Sequence, residues 1–227
     1  MISIIIPTYN ERGNIRLLFG RIIRVMEKNA EKFEIIIVDD NSPDGTGREV
    51  EEFGKKDKRI KLIKRSGKLG LSSAVMAGVE NSSGEKIIVM DADLSHPPEK
   101  IPEIANALDN CDIVIGSRNI AGGGVRKWPV HRKAISLGAT ALAKTVLETR
   151  ASDPMSGFFG VKKKIISDMK IKSRGYKILM SILAGNRKLE IREVPYFFED
   201  RRAGKTKLGN MEILTFVGDL VRVKLGL

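Results

Sequence analysis

The chain opens on a short apolar run, residues 2–6, and then repeats a theme of apolar run, polar turn and amphipathic stretch. Runs at 34–38, 59–64, 87–90 and 112–116 read as further strands. Each is brief, rich in Ile or Val and bounded by turn-forming residues. Between them the apolar spacing becomes helical. Residues 14–29 set Ile15, Leu18, Ile22, Val25 and Met26 on one face. Residues 46–56 form a more polar helix, and residues 69–80 a third, with Leu71, Ala74, Val75, Gly78 and Val79 inward. Pro97-Pro98 opens a helix to about residue 108, since proline is tolerated in a first turn. This alternation through residue 118 predicts an α/β fold: a mixed, mainly parallel sheet with helices on both faces.

After Ser117-Arg118 the pattern changes. Ala121-Gly122-Gly123-Gly124 reads as a flexible loop, because the glycine spacing and following helix of a phosphate-binding fingerprint are absent. A long helix is predicted over 131–147, a turn at 153–157, a strand at 158–161, a helix at 176–184 and a single strand over 189–198. Residues 208–227 form a C-terminal amphipathic helix. Glu212, Thr215, Asp219 and Arg222 share one side, and apolar residues from Ile213 to Val223 cover a wide arc. That helix suits a bilayer interface, its own domain or a partner subunit. The chain therefore divides into one domain, 1–207, and a docking segment, 208–227.

At 227 residues the chain can bury a sizeable core, and 42% hydrophobic with 30% charged residues is a globular composition. One cysteine, Cys111, excludes a disulfide framework and fits a reducing compartment. With only His96 and His131 beside it, a structural zinc site is not expected. No apolar run reaches the length of a membrane span, and no signal peptide is evident at the N-terminus. The net charge of +12 is uneven: residues 162–192 carry ten Lys/Arg against Asp168 and Glu190, a net of +8. Such a surface suits an anionic membrane, a phosphorylated lipid or a nucleic acid, or is simply solvated.

The most telling chemistry is Asp91-Ala92-Asp93, directly after the apolar run 87–90. Two carboxylates one residue apart at a strand end can turn toward one mouth. Carboxylate oxygens are the hard ligands that Mg²⁺ or Mn²⁺ prefers, usually shared with substrate phosphates. The first two strands end likewise in polar turns, Pro7-Thr8-Tyr9-Asn10-Glu11 and Asp39-Asp40-Asn41-Ser42-Pro43-Asp44-Gly45-Thr46. In open α/β sheets ligands bind outside the carboxyl ends of the strands, so these three ends suggest one nucleotide pocket.

These residues, together with Gly70-Leu71-Ser72-Ser73-Ala74, Leu94-Ser95-His96-Pro97-Pro98, Gly116-Ser117-Arg118, Ser156-Gly157-Phe158, Arg201 and Gly204-Lys205-Thr206-Lys207-Leu208, resemble the dolichol-phosphate mannose synthase family. That family belongs to the inverting glycosyltransferases of the A-type, Rossmann-like fold. The matching pieces span nearly the whole chain in order.

The resemblance implies mannose transfer from GDP-mannose to dolichyl or another polyprenyl phosphate, with Mg²⁺ or Mn²⁺ as cofactor. It makes residues 1–207 the catalytic domain. Pro7, Tyr9, Glu11, Val38 and Asp40 would hold the base and ribose; Asp91 and Asp93 would hold the metal, with Ala92 beside them. Arg118, Arg132 and Ser136 would receive the acceptor phosphate, with Arg118 also on the nucleotide-sugar side, near both phosphates; Arg132 and Ser136, four apart on a helix, share a face. Arg201 and Lys207 would close over the diphosphate from a loop containing Gly204. Asp91, Asp93, Arg118 and Arg201 thus carry the chemistry, and no base is needed, because the acceptor is already anionic. Ser95 stands where some relatives carry glutamine, and Asp153 matches a family position of open role.

The implied setting is cytoplasmic, peripheral on the cytoplasmic face of a membrane. One branch of the family continues into transmembrane helices. This chain would use its terminal helix, use a small membrane subunit, or represent a truncated sequence. The rival readings are a related transferase using UDP-glucose or a non-lipid acceptor and, more distantly, a basic nucleic-acid-binding domain. The acid-rich strand ends argue against the last, so no nucleic-acid partner is expected.

Overall fold

A computed structural model of the chain describes residues 1–126, 128–167, 169, 178–186, 188–199, 218 and 220. The first half follows the alternation expected from sequence: β1 (Ile2–Thr8), α1 (Arg12–Lys28), β2 (Phe33–Asp39), α2 (Thr46–Lys56), β3 (Ile60–Lys64), α3 (Leu71–Glu80), β4 (Lys86–Val89), α4 (Ile101–Ala107) and β5 (Ile113–Ser117). The second half adds β6 (Gly124–Val125), α5 (Val130–Leu147), β7 (Phe159–Lys162), α6 (Lys163–Ser167), α7 (Ile178–Gly185), β8 (Ile191–Pro195) and β9 (Phe197–Phe198).

Strand side chains alternate between faces, which builds two cores. Ile2, Ile4 and Ile6 of β1 join Ile35 and Ile37 of β2 on the face covered by α1 and α4. Ile5, Ile36 and Val38 point to the opposite face, against Ala74, Val75 and Val79 of α3 and Ile182 of α7. The sheet order is β3-β2-β1-β4-β7-β5-β8. Among the described strands only β7 is antiparallel to its neighbours, β4 and β5. The carboxyl ends of β1, β2, β3, β4, β5 and β8 therefore share one edge. The loop entering β7 opens on the same edge, because Phe159 pairs with Val89. The chain departs from β1 in both lateral directions, to β2 and to β4, and such a reversal opens the ligand crevice of an α/β sheet.

Three expectations are corrected in detail. The strand predicted over 189–198 is two strands, β8 in the main sheet and β9 paired with β6 in a second one. The hand-over occurs at Tyr196, whose N–H donates to the Ser117 carbonyl at 3.1 Å and whose carbonyl accepts from Gly124 N–H at 3.0 Å. Residues 121–124 are accordingly built in as well as turned. A Cβ on Gly123 would lie 2.5 Å from the Ser117 carbonyl oxygen, so only glycine permits that approach. The helix after Pro97 begins as a 3₁₀ turn, Pro98–Lys100, before α4. The five residues of α6 are too few to carry a periodic signal.

Most of the segment 208–227 lies outside the described residues. Gly218 and Leu220 are helical, and Leu220 is buried in a small cluster with Ala143, Leu147, Met155 and Met180. No helix among the described residues is long and apolar enough to cross a membrane.

Candidate active site

At the shared edge, the ends of β1 and β2 are laced together by the polar residues that follow them. Asn10 and Asn41 take left-handed backbone, φ 61° and 56°, which asparagine tolerates better than most residues. Asn10 N–H donates to Ser42 Oγ at 2.9 Å, Glu11 N–H to Thr46 Oγ1 at 2.9 Å and Arg12 N–H to Asp44 Oδ2 at 3.1 Å. Thr46 returns its own N–H and hydroxyl to Asp44 Oδ1. Burial would raise the Asp44 carboxyl, but these bonds to Thr46 and Arg12 outweigh it and hold the group below its ordinary range. Residues 42–46 are therefore the frame of this corner.

On that frame, Pro7 and Val38 are register partners at the adjoining ends of β1 and β2. Tyr9 is exposed, and Lys68 Nζ sits 3.6 Å from the centroid of its ring. The face expected to stack a base thus carries a lysine here. Asp40 is nearly buried and accepts from Arg65 Nε at 2.5 Å and Leu69 N–H at 3.3 Å. Arg65 also reaches Ser73 Oγ at 2.7 Å and the Gly70 carbonyl at 3.0 Å. Sequence reasoning missed Arg65 and Lys68. The available signal was their place in the turn after β3, at the same edge as the other loops.

After β4 the chain curls through Asp91, Ala92 and Asp93. Leu94 sits at φ 66°, a strained value for a branched residue, and reverses the chain. Asp93 is almost wholly buried and accepts Ser95 N–H on Oδ1 at 3.0 Å, whereas the Asp91 side chain is 37% exposed. Ser95 Oγ is buried without a hydrogen-bond partner among the described residues. An exposed carboxylate, a buried one and an orphaned hydroxyl within five residues form an oxygen donor set suited to a hard divalent cation. Among the described residues no third His, Cys, Asp or Glu joins them. An ion shared with substrate phosphates requires only one or two carboxylates.

Across the edge, Arg118 follows β5. Asp153, fully buried in the loop before β7, accepts from Arg118 Nε at 2.7 Å, Nη2 at 2.8 Å and the backbone N–H at 3.1 Å. Burial works against the guanidinium's charge, but the hydrogen bonds and charge of Asp153 prevail and hold it protonated. Glu193 in β8 anchors the far side of that loop, accepting from Ser152 and Asp153 N–H at 3.0 and 3.3 Å.

Arg118 and Ser136 line one cavity of about 300 Å³, together with Trp128, Lys133, Leu137 and Phe197. Arg132 does not line it; its guanidinium carbon lies 3.8 Å from the Trp128 ring centroid, so a cavity-wall aromatic positions it. Lys133 and Trp128 were not singled out from sequence. Along α5 the apolar side chains of Val130, Ile135, Leu137 and Leu142 are exposed, and Leu137 lines the cavity. Arg201 and Lys207, expected to close over a diphosphate, lie outside the described residues.

Comparison with known proteins agrees with this architecture. A family model described as glycosyl transferase family 2 matches residues 3–170. The dolichol-phosphate mannosyltransferase of Pyrococcus furiosus is 41% identical over 225 residues, which is 98% of this chain and 63% of that protein. The chain thus spans less than two thirds of that relative. The dolichol-phosphate mannosyltransferase of Saccharomyces cerevisiae is 38% identical, covering 96% of this chain and 85% of its own length. Among solved structures, glucosyl-3-phosphoglycerate synthase of Mycobacterium tuberculosis, in complex with Mn²⁺, UDP-glucose and phosphoglyceric acid, superposes with a TM-score of 0.73 at 16% identity, covering 100% of this chain and 80% of that one. Mannosyl-3-phosphoglycerate synthase of Rubrobacter xylanophilus gives 0.69 at 15% identity, covering 99% and 72%.

Proposed function

The chain belongs to glycosyl transferase family 2 and has the A-type fold, and from that premise we propose that it transfers mannose from GDP-mannose to dolichyl or another polyprenyl phosphate, with inversion. The observation that carries the reading is similarity along nearly the whole chain to proteins named for that activity. Residues 1–207 are its catalytic domain.

The donor enters over the ends of β1, β2 and β3. Pro7, Val38 and Asp40 surround its base and ribose, Glu11 flanks them, and Tyr9 takes the base once Lys68 swings from its ring. Asp91 and Asp93, with Ala92 between them, hold Mg²⁺ or Mn²⁺, which when bound neutralises charge developing on the diphosphate leaving group. Mn²⁺ together with UDP-glucose in the Mycobacterium tuberculosis complex supports a divalent ion beside a nucleotide-sugar donor in this fold. Arg201 and Lys207 complete the donor side from the segment after β9.

The acceptor enters from α5. Arg118, held charged by Asp153, shares the cavity with Ser136 and Lys133, and Arg132 stands beside it on Trp128. Arginines suit bidentate phosphate binding. Because a lipid phosphate is anionic near neutral pH, positioning and charge stabilisation are the protein's main work, and no general base is assigned. The exposed apolar start of α5 beside the cavity fits an acceptor that arrives from a lipid surface, with the chain peripheral on the cytoplasmic face. A small membrane subunit would serve the same end.

The test is transfer from labelled GDP-mannose to a short polyprenyl phosphate by purified protein with Mg²⁺ or Mn²⁺. Product that extracts with the lipid is expected. Transfer from UDP-glucose alone would move the reading to a related enzyme.

A further inference from the structure

His96 lies three residues past Asp93, directly before the Pro97-Pro98 pair that opens the next helix. The fold gives it a more specific place. It is almost wholly buried, and its Nδ1 accepts the Asp91 backbone N–H at 3.0 Å. Nδ1 therefore carries a lone pair, and the ring is the neutral tautomer protonated on Nε2. The bond spans the curl made by Leu94 and ties its far end back to the first carboxylate residue.

The ring itself is immobilised. It stacks on Phe158 with centroids 5.2 Å apart and planes 14° from parallel. Tyr196 and Phe198 meet it edge-on at 5.7 and 6.1 Å. Gly157 closes the remaining gap: a Cβ there would lie 3.2 Å from His96 Cε1 and 3.3 Å from Asp91 Oδ2. Histidine and carboxylate thus share one tight wall. A buried polar ring among aromatics carries a desolvation cost that a phenylalanine would avoid. Its distinctive contribution is the Nδ1 acceptor.

We propose that His96 is a positioning residue for the divalent ion: its Nδ1 fixes the Asp91 backbone so that the Asp91 and Asp93 carboxylates are pre-set for one cation. The proposal rests on the metal role proposed above for those two aspartates. Two substitutions separate hydrogen bond from packing. His96→Phe keeps a stacked ring and removes the acceptor. His96→Asn gives up the stack and keeps an acceptor at the δ position.

The readout is Mn²⁺ affinity in the presence of GDP, followed by the electron paramagnetic resonance signal of free Mn²⁺, with the melting temperature measured beside it. His96→Phe should weaken Mn²⁺ binding by roughly 10-fold or more, as expected for losing a group that orients a metal ligand. His96→Asn should bind Mn²⁺ within a few-fold of wild type despite a lower melting temperature. Wild-type affinity in a folded Phe variant, or equal loss in Phe and Asn variants, overturns the inference. If the Phe variant does not fold, His96→Gln replaces it, because its amide lies beyond the δ position. Asp93→Ala in the same assay tests the underlying reading: undiminished Mn²⁺ binding there refutes the metal site itself, whereas lost binding there beside an unaffected His96→Phe refutes only the role of His96.

Discussion

Asp153 grips the Arg118 guanidinium with both carboxylate oxygens, at 2.7 and 2.8 Å, from a position with no solvent exposure. An acid given no definite role by sequence is thus the group that orients a proposed phosphate-binding arginine. Removing one member of a buried, hydrogen-bonded ion pair leaves the other uncompensated, at a cost of about 3–5 kcal/mol. Asp153→Ala should lower stability by that amount in urea denaturation and should raise the KM for lipid phosphate in whatever fraction remains folded. Arg118→Ala, which strands the fully buried acid, should be similarly destabilising. Unchanged stability in both would mean that the pair opens readily to solvent.

Asp91→Ala and Asp93→Ala should each abolish metal-dependent transfer while leaving the fold largely intact. The Asp91 side chain is partly exposed, so its removal leaves no large cavity. Activity that survives in both variants after chelation would remove the metal from the mechanism.

The strand ends were legible in sequence because each apolar run stops abruptly at turn-forming polar residues, and a parallel sheet brings such ends to one edge. The position of Asp91 beside the loops after β1 and β2 followed from that rule alone. The Arg118–Asp153 pair did not. Its partners are 35 residues apart, and they meet because β7 inserts antiparallel between β4 and β5. No local pattern announces that insertion. Lys133 and Trp128 were hidden for another reason: α5 buries only Thr140, Ala143 and Leu147, so its apolar period did not identify a cavity-facing side. Lys68 over Tyr9 and Arg65 on Asp40 depend on the path of the turn after β3, which turn composition does not fix.

Lys133→Ala, Arg132→Ala and Ser136→Ala should raise the KM for the polyprenyl phosphate more than that for GDP-mannose. A charged hydrogen bond to phosphate contributes about 1.5–3 kcal/mol, so each cationic variant should lose on the order of 10- to 100-fold in apparent acceptor affinity. The serine variant should lose less. Steady-state kinetics with each substrate varied in turn decides it. A penalty confined to GDP-mannose would reassign this cavity to the donor.

The last prediction concerns how the chain meets a lipid. Val130, Lys133 and Leu137 fall on one side of α5 at helical spacing, all three are exposed, and Lys133 and Leu137 line the cavity. Apolar side chains entering the headgroup region, with attraction of roughly 1 kcal/mol per basic residue near an anionic surface, give reversible binding. The protein should therefore bind anionic liposomes at low salt and release them as salt rises. Val130→Glu with Leu137→Glu should abolish sedimentation with liposomes without lowering the melting temperature, since neither side chain is buried. Deleting residues 211–227 should act differently. It removes Leu220 from its cluster with Ala143, Leu147, Met155 and Met180, so liposome binding and melting temperature should fall together. Nucleotide binding should survive the deletion, because every proposed donor residue lies at or before Lys207. If the double glutamate variant still binds liposomes while the deletion does not, the terminal segment rather than α5 faces the lipid.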